Sequence, residues 1–132
     1  MSNSTATRPR PLSPHVFHYR LIPTMVMSFV HRASGAALYF GALLVAWWVV
    51  AAATSPEWLA TANWALGSWL GLLVLLGFTW SLYVHLLGGV RHLIWDTATA
   101  MEKQTSTSLA WATLFGSIVL TVITWAIYIY TL

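Results

Sequence analysis

The sequence HLLGGVRHLIWD at residues 85–96 closes the second of three long apolar segments and carries most of the ionisable side chains within them. Ionisable groups inside a bilayer are energetically costly, so they are functional candidates. His85 and His92 are seven residues apart, which places them on one helical face about 10 Å apart along the axis. A single metal ion cannot bind both. The deeper His85 is the better ligand, because Gly88, one turn away, leaves room for a flat group or another helix.

The composition is that of a membrane protein. The chain is 58% hydrophobic and 7% charged, with a mean hydropathy of +0.71, whereas soluble domains contain about 25% charged residues. Its 132 residues allow one domain, a small bundle of helices. Because the sequence has no cysteine, disulfides, iron–sulfur ligation and thiolate metal sites are excluded. The net charge of +3 follows from where the basic residues lie and does not indicate nucleic-acid binding.

Three apolar segments, at residues 21–53, 63–95 and 109–131, are each long enough for the roughly 20 residues that span a bilayer. Residues 1–20 are polar, basic and interrupted by prolines. They lack both the apolar core of a cleavable signal peptide and the amphipathic character of a transit peptide. The sequence therefore predicts an all-α membrane protein with three transmembrane helices and an N-terminal arm that packs on a partner surface.

Small and polar residues mark the helix faces that we expect to meet other groups. Ser28, Arg32 and Gly35 share one face of the first helix, with His31 next to it. The sequence GSWLG at residues 67–71 is a small-xxx-small pattern, which is typical of close contact between membrane helices but is also common by chance in apolar sequences.

The distribution of positive charge predicts the orientation. The loop at residues 54–62 contains Glu57 and no Lys or Arg, so the basic residues all lie on one side: Arg8, Arg10, Arg20, Arg32, Arg91 and Lys103. The positive-inside rule places that side, with the N-terminus, in the cytoplasm and the C-terminus in the periplasm. An aromatic belt is then expected at the outer interface, formed by Trp47, Trp48, Trp58, Trp64, Trp125, Tyr128 and Tyr130. An initial Met without a transit peptide favours a bacterial inner membrane.

Depth along the helices predicts a haem site. His85 lies about 16 Å below the inner end of the second segment, and His31 and Arg32 lie about 12 Å from the inner end of the first. Arg91 and His92 stand between His85 and the cytoplasmic surface. Histidine is a common axial ligand of haem iron, and sites in the core of a bundle are built from facing helices. This is the layout expected for an axial imidazole with cationic groups beside the haem propionates.

Spacing alone leaves each of these residues an alternative, purely structural role. His85 could donate a hydrogen bond between helices, and Arg32 could extend to the lipid headgroups. Arg91 could pair with Asp96 and so neutralise the loop end, and His92 could cap the helix C-terminus, where positive charge is favourable. Ser28 could bond to a carbonyl of its own helix.

Three segments resemble one family, in order and spacing. RPLSPH at residues 10–15, SFVHRASG at 28–35 and HLLGGVRHLIWD at 85–96 match the patterns RPxSPH, SxxHRxSG and HxxxGxRHxxWD. The chain thereby resembles the cytochrome b membrane-anchor subunit of succinate dehydrogenase, respiratory complex II. The third apolar segment is generic. One departure is Ala98, where many relatives have Gly.

The resemblance implies a role for each site residue. His85 would be one axial ligand of haem b, and a second, smaller anchor subunit would supply the other histidine. Ser28 and Arg32 would line the ubiquinone site, and the haem propionates would be close to His31, Arg32, Arg91 and His92. The chain itself would carry out no succinate chemistry. A flavoprotein subunit and an iron–sulfur subunit would dock on the cytoplasmic face and deliver the electrons.

Two alternative functions remain open from the sequence. One is the anchor of a quinol:fumarate reductase, which runs in the opposite direction with menaquinone. The other is a small membrane transporter or structural helical bundle, in which the histidines and arginines would form a proton path. The transporter would contain no haem, so a haem spectrum separates it from the first two.

Overall fold

The computed structural model describes residues 19–131, and the fold is entirely helical within them. Four helices follow one another: α1 (Pro23–Thr54), α2 (Pro56–Gly67), α3 (Trp69–Asp96) and α4 (Lys103–Thr131). Helices α1, α3 and α4 are each long and apolar enough to cross a membrane. The predicted all-α membrane fold with three spanning helices is therefore confirmed. The N-terminal arm, apart from Tyr19 and Arg20, lies outside the described residues, as does the motif at residues 10–15.

The three long helices pack against one another through small side chains. Most of the buried positions carry small side chains: Ser34, Gly41 and Ala51 on α1, Gly71, Ser81 and Gly88 on α3, and Ala110, Thr113, Ser117 and Thr121 on α4. Met27, Val84 and Arg91 are the larger buried side chains. Without a hydrophobic force between helices in lipid, small residues are favoured because they let the backbones approach closely. Many large apolar side chains point outward instead; Phe29 and Phe40 are 68% and 66% exposed. These outer faces suit contact with lipid or with a partner chain.

The second predicted segment, at residues 63–95, is divided between two helices, and this part of the sequence prediction was wrong. Ser68 separates α2 from α3, and its hydroxyl caps α3 by accepting a hydrogen bond from the Gly71 amide at 3.1 Å. A Cβ on Gly71 would collide with the backbone carbonyl of Ala65. Gly71 is therefore needed for the sharp turn between α2 and α3, and the small-xxx-small pattern does not join two spanning helices.

Helix α2 fills the stretch that was predicted to be a loop. Ser55 caps it by accepting a hydrogen bond from the Trp58 amide, and Pro56 occupies its first turn. The Ser55 hydroxyl also lowers the pKa of Glu57 below its usual value through a hydrogen bond. Trp48 Nε1 donates a 2.9 Å hydrogen bond to Asn63 Oδ1, which ties α2 to the end of α1.

The connector between α3 and α4 is shorter than predicted, because α4 begins at Lys103 and not near residue 109. Ala98 and Ala100 both have a φ of 57°, in the left-handed region that favours glycine. The Ala98 amide donates a 2.8 Å hydrogen bond to the Trp95 carbonyl, which is typical of a helix C-terminus. Glycine would adopt the backbone conformation of Ala98 with less strain than alanine does.

Candidate functional site

His85 on α3 is held by two oxygen atoms of α1. Its Nδ1 lies 3.1 Å from the backbone carbonyl oxygen of His31 and 3.2 Å from Ser34 Oγ. A carbonyl oxygen can only accept a hydrogen bond, and the Ser34 hydroxyl already donates to that same carbonyl at 2.8 Å. The proton of a neutral His85 therefore belongs on Nδ1, where it is donated to these oxygens. Nε2 then keeps its lone pair, which is the state of a metal-binding imidazole.

The His31 ring stacks on the His85 ring. The two ring centroids are 4.1 Å apart with an interplanar angle of 7°, and the centroid of the His92 ring lies 5.0 Å from that of His31. His31 also contacts Gly88, where a Cβ would collide with its Nδ1. The sequence predicted that Gly88 would admit a flat group or another helix, and in the structure it admits the His31 ring of α1.

Glycine also makes room for His85. A Cβ on Gly35 of α1 would lie 3.0 Å from His85 Cε1, closer than ordinary van der Waals contact. The order along the bundle is His85, then His31, then His92, because His31 packs at the level of Gly88. That order agrees with the predicted depths. The sequence did not predict that the two rings would be in direct contact.

Arg91 is buried beside this cluster. It is 2% exposed, and none of its three side-chain nitrogens makes a hydrogen bond to any residue between 19 and 131. The guanidinium lies over the Trp95 ring, with Cζ 5.0 Å from the centroid. Within residues 19–131 no ion pair with Asp96 is found, so the structural alternative that Arg91 neutralises its own helix end is not supported. The His92 ring meets Trp95 edge to face at 5.3 Å.

Ser28 and Arg32 lie one turn apart on α1 and outside the histidine cluster. Arg32 is exposed, and its Nε donates a 3.3 Å hydrogen bond to the backbone carbonyl of Ser28. Ser28 is half-buried, and its hydroxyl makes no hydrogen bond to any residue that the structure describes. It differs in this from Thr113 and Ser117, whose hydroxyls bond to carbonyls of their own helix. The structural alternative proposed for Ser28 is therefore not found.

Sequence reasoning missed Ser34. It was part of the SxxHRxSG motif, but only contact between α1 and α3 shows that its hydroxyl reaches His85. Across residues 19–131, no three His, Asp or Glu side chains are grouped so that they could together hold a metal ion. If His85 binds a metal ion, the rest of the coordination sphere has to come from outside these residues.

A cavity of about 450 Å³ lies at the opposite end of the bundle. Its wall is mainly apolar and includes Phe78, Leu72, Leu75, Trp48, Asn63 and Tyr128. None of the site residues predicted from the sequence lines it. Trp48 on α1, Asn63 on α2 and Tyr128 on α4 all line the cavity, and Trp48 and Tyr128 belong to the predicted aromatic belt.

Comparison with known proteins agrees with the motifs. Residues 6–124 match the family model for the succinate dehydrogenase/fumarate reductase transmembrane subunit. The chain is 47% identical over 93 residues to the succinate dehydrogenase cytochrome b556 subunit of Paracoccus denitrificans, covering 70% of this chain and 72% of the relative. It is 32% identical over 105 residues to the protein of that name from Rickettsia felis, covering 80% and 82%.

A mitochondrial protein is also similar. The succinate dehydrogenase cytochrome b560 subunit of Sus scrofa is 36% identical over 92 residues, which cover 66% of this chain and 53% of the relative. The resemblance found in three short motifs thus extends through all three spanning helices. The chain belongs to the family of cytochrome b membrane subunits of succinate dehydrogenase.

Proposed function

We propose that this chain is the haem b- and ubiquinone-binding anchor of succinate dehydrogenase, through which electrons from succinate oxidation reach ubiquinone. The observation that carries the proposal is the state of His85: its Nδ1 is fixed by two oxygen atoms of α1, so Nε2 is free to bind a metal. The names of the similar proteins, cytochrome b556 and b560, favour haem as the group that His85 binds.

His85 would hold the haem iron through Nε2, and the bound haem would supply a one-electron redox centre. His31, Arg32, Arg91 and His92 would face the propionates. The fit is supported by Arg91, a buried cation whose guanidinium makes no hydrogen bond within the described part of the chain. A buried charge without a partner is costly, and the chain has only three acidic residues, Glu57, Asp96 and Glu102. A carboxylate supplied from outside the chain would neutralise it, and a haem propionate is such a group.

Ser28 and Arg32 would bind the quinone. The Ser28 hydroxyl has no hydrogen-bond partner within the described residues, so it can donate to a quinone carbonyl oxygen. The Arg32 guanidinium is exposed, and among residues 19–131 only its Nε finds a hydrogen-bond acceptor, the Ser28 carbonyl. A fixed cation beside the quinone stabilises the negative charge that develops on its oxygen atoms during reduction.

The proposed partners follow from the single deep ligand and the exposed helix faces. A second anchor subunit would supply the other axial histidine and cover apolar surface such as that around Phe29 and Phe40. The iron–sulfur and flavoprotein subunits would dock at the end where α1 begins. We place that end in the cytoplasm and the C-terminus in the periplasm of a bacterial inner membrane, because the basic residues lie at that end. The named relatives favour succinate oxidation over fumarate reduction.

The haem proposal is tested by a pyridine haemochrome assay on the complex purified through this chain. We expect b-type haem together with the flavoprotein and iron–sulfur subunits. A complex without a Soret band would support the transporter or structural alternative and contradict the haem site. Extraction and identification of the co-purified quinone separates a ubiquinone enzyme from a menaquinone-dependent fumarate reductase.

The quinone site is tested by comparing two activities of the same complex. Arg32→Leu and Ser28→Ala should impair succinate:quinone reduction more than succinate oxidation by an artificial dye. Arg32→Lys should restore only part of the activity, because a point charge replaces a planar group with several donors. Ser108→Ala is the control, since its exposed hydroxyl bonds to its own helix at 3.1 Å. Equal losses in both activities would indicate failed assembly and contradict a quinone role.

A further inference from the structure

We infer that Ser34 is a positioning residue for His85: its hydroxyl fixes the protonated nitrogen and the rotation of the imidazole, and so sets the electron density that Nε2 offers to a metal. The inference rests on the proposed role of His85 as a haem ligand. Ser34 and His85 both belong to this chain, and Ser34 would act on the ligand without binding the metal itself.

Two oxygen atoms define the tautomer. If the His85 proton were on Nε2, the Nδ1 lone pair would face the His31 carbonyl oxygen at 3.1 Å, and both groups would be acceptors. A rotated Ser34 hydroxyl could donate to Nδ1, but it would give up its 2.8 Å bond to that carbonyl. With the proton on Nδ1, every one of these contacts joins a donor to an acceptor. The Ser34 hydroxyl is therefore a relay, which donates to the carbonyl and accepts from the ring.

Burial and packing make this arrangement rigid. Ser34 is 4% exposed, so water does not readily replace its hydroxyl. The His31 ring covers one face of the His85 ring, and Gly35 leaves only enough space for the edge that carries Cε1. Ser34 then fixes the remaining edge at Nδ1. A ligand whose orientation is fixed in this way binds its metal in one geometry, which is the function of the residues that surround metal ligands in other proteins.

The hydrogen bond also has an electronic effect. An acceptor on the Nδ1 proton makes the imidazole more basic and strengthens its bond to the metal. Ser34→Ala removes one of two acceptors and leaves the His31 carbonyl in place. We therefore expect a partial effect: haem affinity about tenfold lower, at the small end of the range for such partners, and a haem midpoint potential shifted in the positive direction. The low-spin haem signal should also broaden, because the ring is less well oriented.

Ser117 provides a matched control. Like Ser34 it is a buried serine, and its hydroxyl donates a 2.8 Å hydrogen bond to the carbonyl three residues earlier, that of Leu114. No second partner on another helix is found for it among the described residues. Ser117→Ala therefore removes the same hydroxyl and the same local hydrogen bond without touching a ligand. An effect that is general to losing a buried serine would be equal in both variants.

The experiment uses the intact complex and three measurements: haem per complex, the haem midpoint potential and the low-spin electron paramagnetic resonance spectrum. We expect Ser34→Ala to change all three and Ser117→Ala to change none. Ser34→Cys, which has a similar size but a weaker acceptor, should shift the potential in the same direction by less. If the complex with Ser34→Ala does not assemble, the complex with Ser34→Cys is measured instead. A Ser34 variant that assembles but has the potential and spectrum of Ser117→Ala would overturn the inference.

His85→Ala, measured in parallel, distinguishes a wrong role for Ser34 from a wrong assignment of His85 as the haem ligand. If it abolishes the low-spin spectrum while the Ser34 variants match the control, His85 is a ligand and only the positioning role of Ser34 is wrong. If His85→Ala leaves the spectrum unaltered, His85 is not a ligand, and both the proposed haem site and the role of Ser34 are wrong.

Discussion

Gly88→Ala should disrupt the histidine cluster, because the new methyl group would occupy space that the His31 ring already fills. The Cβ would collide with His31 Nδ1 and lie 3.2 Å from both Cε1 and Cγ of that ring. The imidazole can rotate away, but it then loses its parallel contact with His85 at 4.1 Å. The perturbation therefore acts on the ligand through a neighbour and does not alter a ligand atom.

The size of the effect follows from two contributions. Loss of a stacked ring pair costs about 0.5–1.5 kcal/mol, and an extra methyl group in a packed site typically costs about 1–3 kcal/mol. Alanine is a better helix former than glycine by about 1 kcal/mol, which offsets part of this cost. Gly89→Ala gains the same helix propensity, and its added Cβ has no heavy atom within 4 Å. Because the helix-propensity offset cancels between the two variants, we expect Gly88→Ala to be less stable than Gly89→Ala by about 1.5–4.5 kcal/mol.

The assay is haem release from the purified complex, followed by loss of the Soret band as SDS is added. Gly88→Ala should release haem at a lower SDS concentration than the wild type, and Gly89→Ala should release it at the same or a slightly higher concentration. Gly35→Ala should fall between them, because its Cβ would lie 3.0 Å from His85 Cε1 and needs only a small displacement. Coinciding curves for Gly88→Ala and Gly89→Ala would refute the argument that Gly88 exists to admit His31.

Three further predictions concern packing, backbone strain and assembly. Gly41→Ala should destabilise the complex by about 1–3 kcal/mol, because its Cβ would collide with the Phe78 ring, whereas Gly77→Ala meets nothing within 4 Å and should be neutral; equal SDS resistance of the two variants would contradict this. Ala98→Gly should raise the free energy of unfolding by about 1 kcal/mol, because Ala98 has a φ of 57°; an unchanged unfolding midpoint in the same titration would count against a strained backbone. Expressed without the other subunits, the chain should bind haem poorly, and a stoichiometric haem with two histidine ligands in the isolated chain would disprove the shared site.

Hydropathy predicted the spanning helices but not where the helices begin and end. The apolar run at residues 63–95 continues through Ser68. Hydropathy averaged over a window of residues therefore does not detect that the chain turns there. The local signal was the pair Ser68 and Gly71. Ser68 caps α3, and Gly71 allows its backbone to lie close to that of Ala65. Helix α4 likewise begins at Lys103, within a polar sequence, because a helix can extend beyond the part that lies in lipid.

Helical periodicity predicted the site in outline. It placed His31, His85 and His92 at one end of the bundle, and the structure brings their rings together. It did not predict the stacking of His31 on His85, because that contact depends on how closely α1 approaches α3 at Gly88. The role of Ser34 was hidden for the same reason. A membrane serine ordinarily bonds to its own helix, as Ser34 does, and its second contact exists only between helices.

The most direct test of the central claim is the low-spin haem spectrum of the purified complex in two variants, His85→Ala and His31→Ala. The rings of these residues stack at 4.1 Å, so the two variants alter the same site. If His85 is the ligand, His85→Ala should abolish ligation of the haem by two histidines. His31→Ala should retain ligation by two histidines, with a shifted spectrum. Retention in His85→Ala together with loss in His31→Ala would show that His31 is the ligand, and would contradict the assignment of His85.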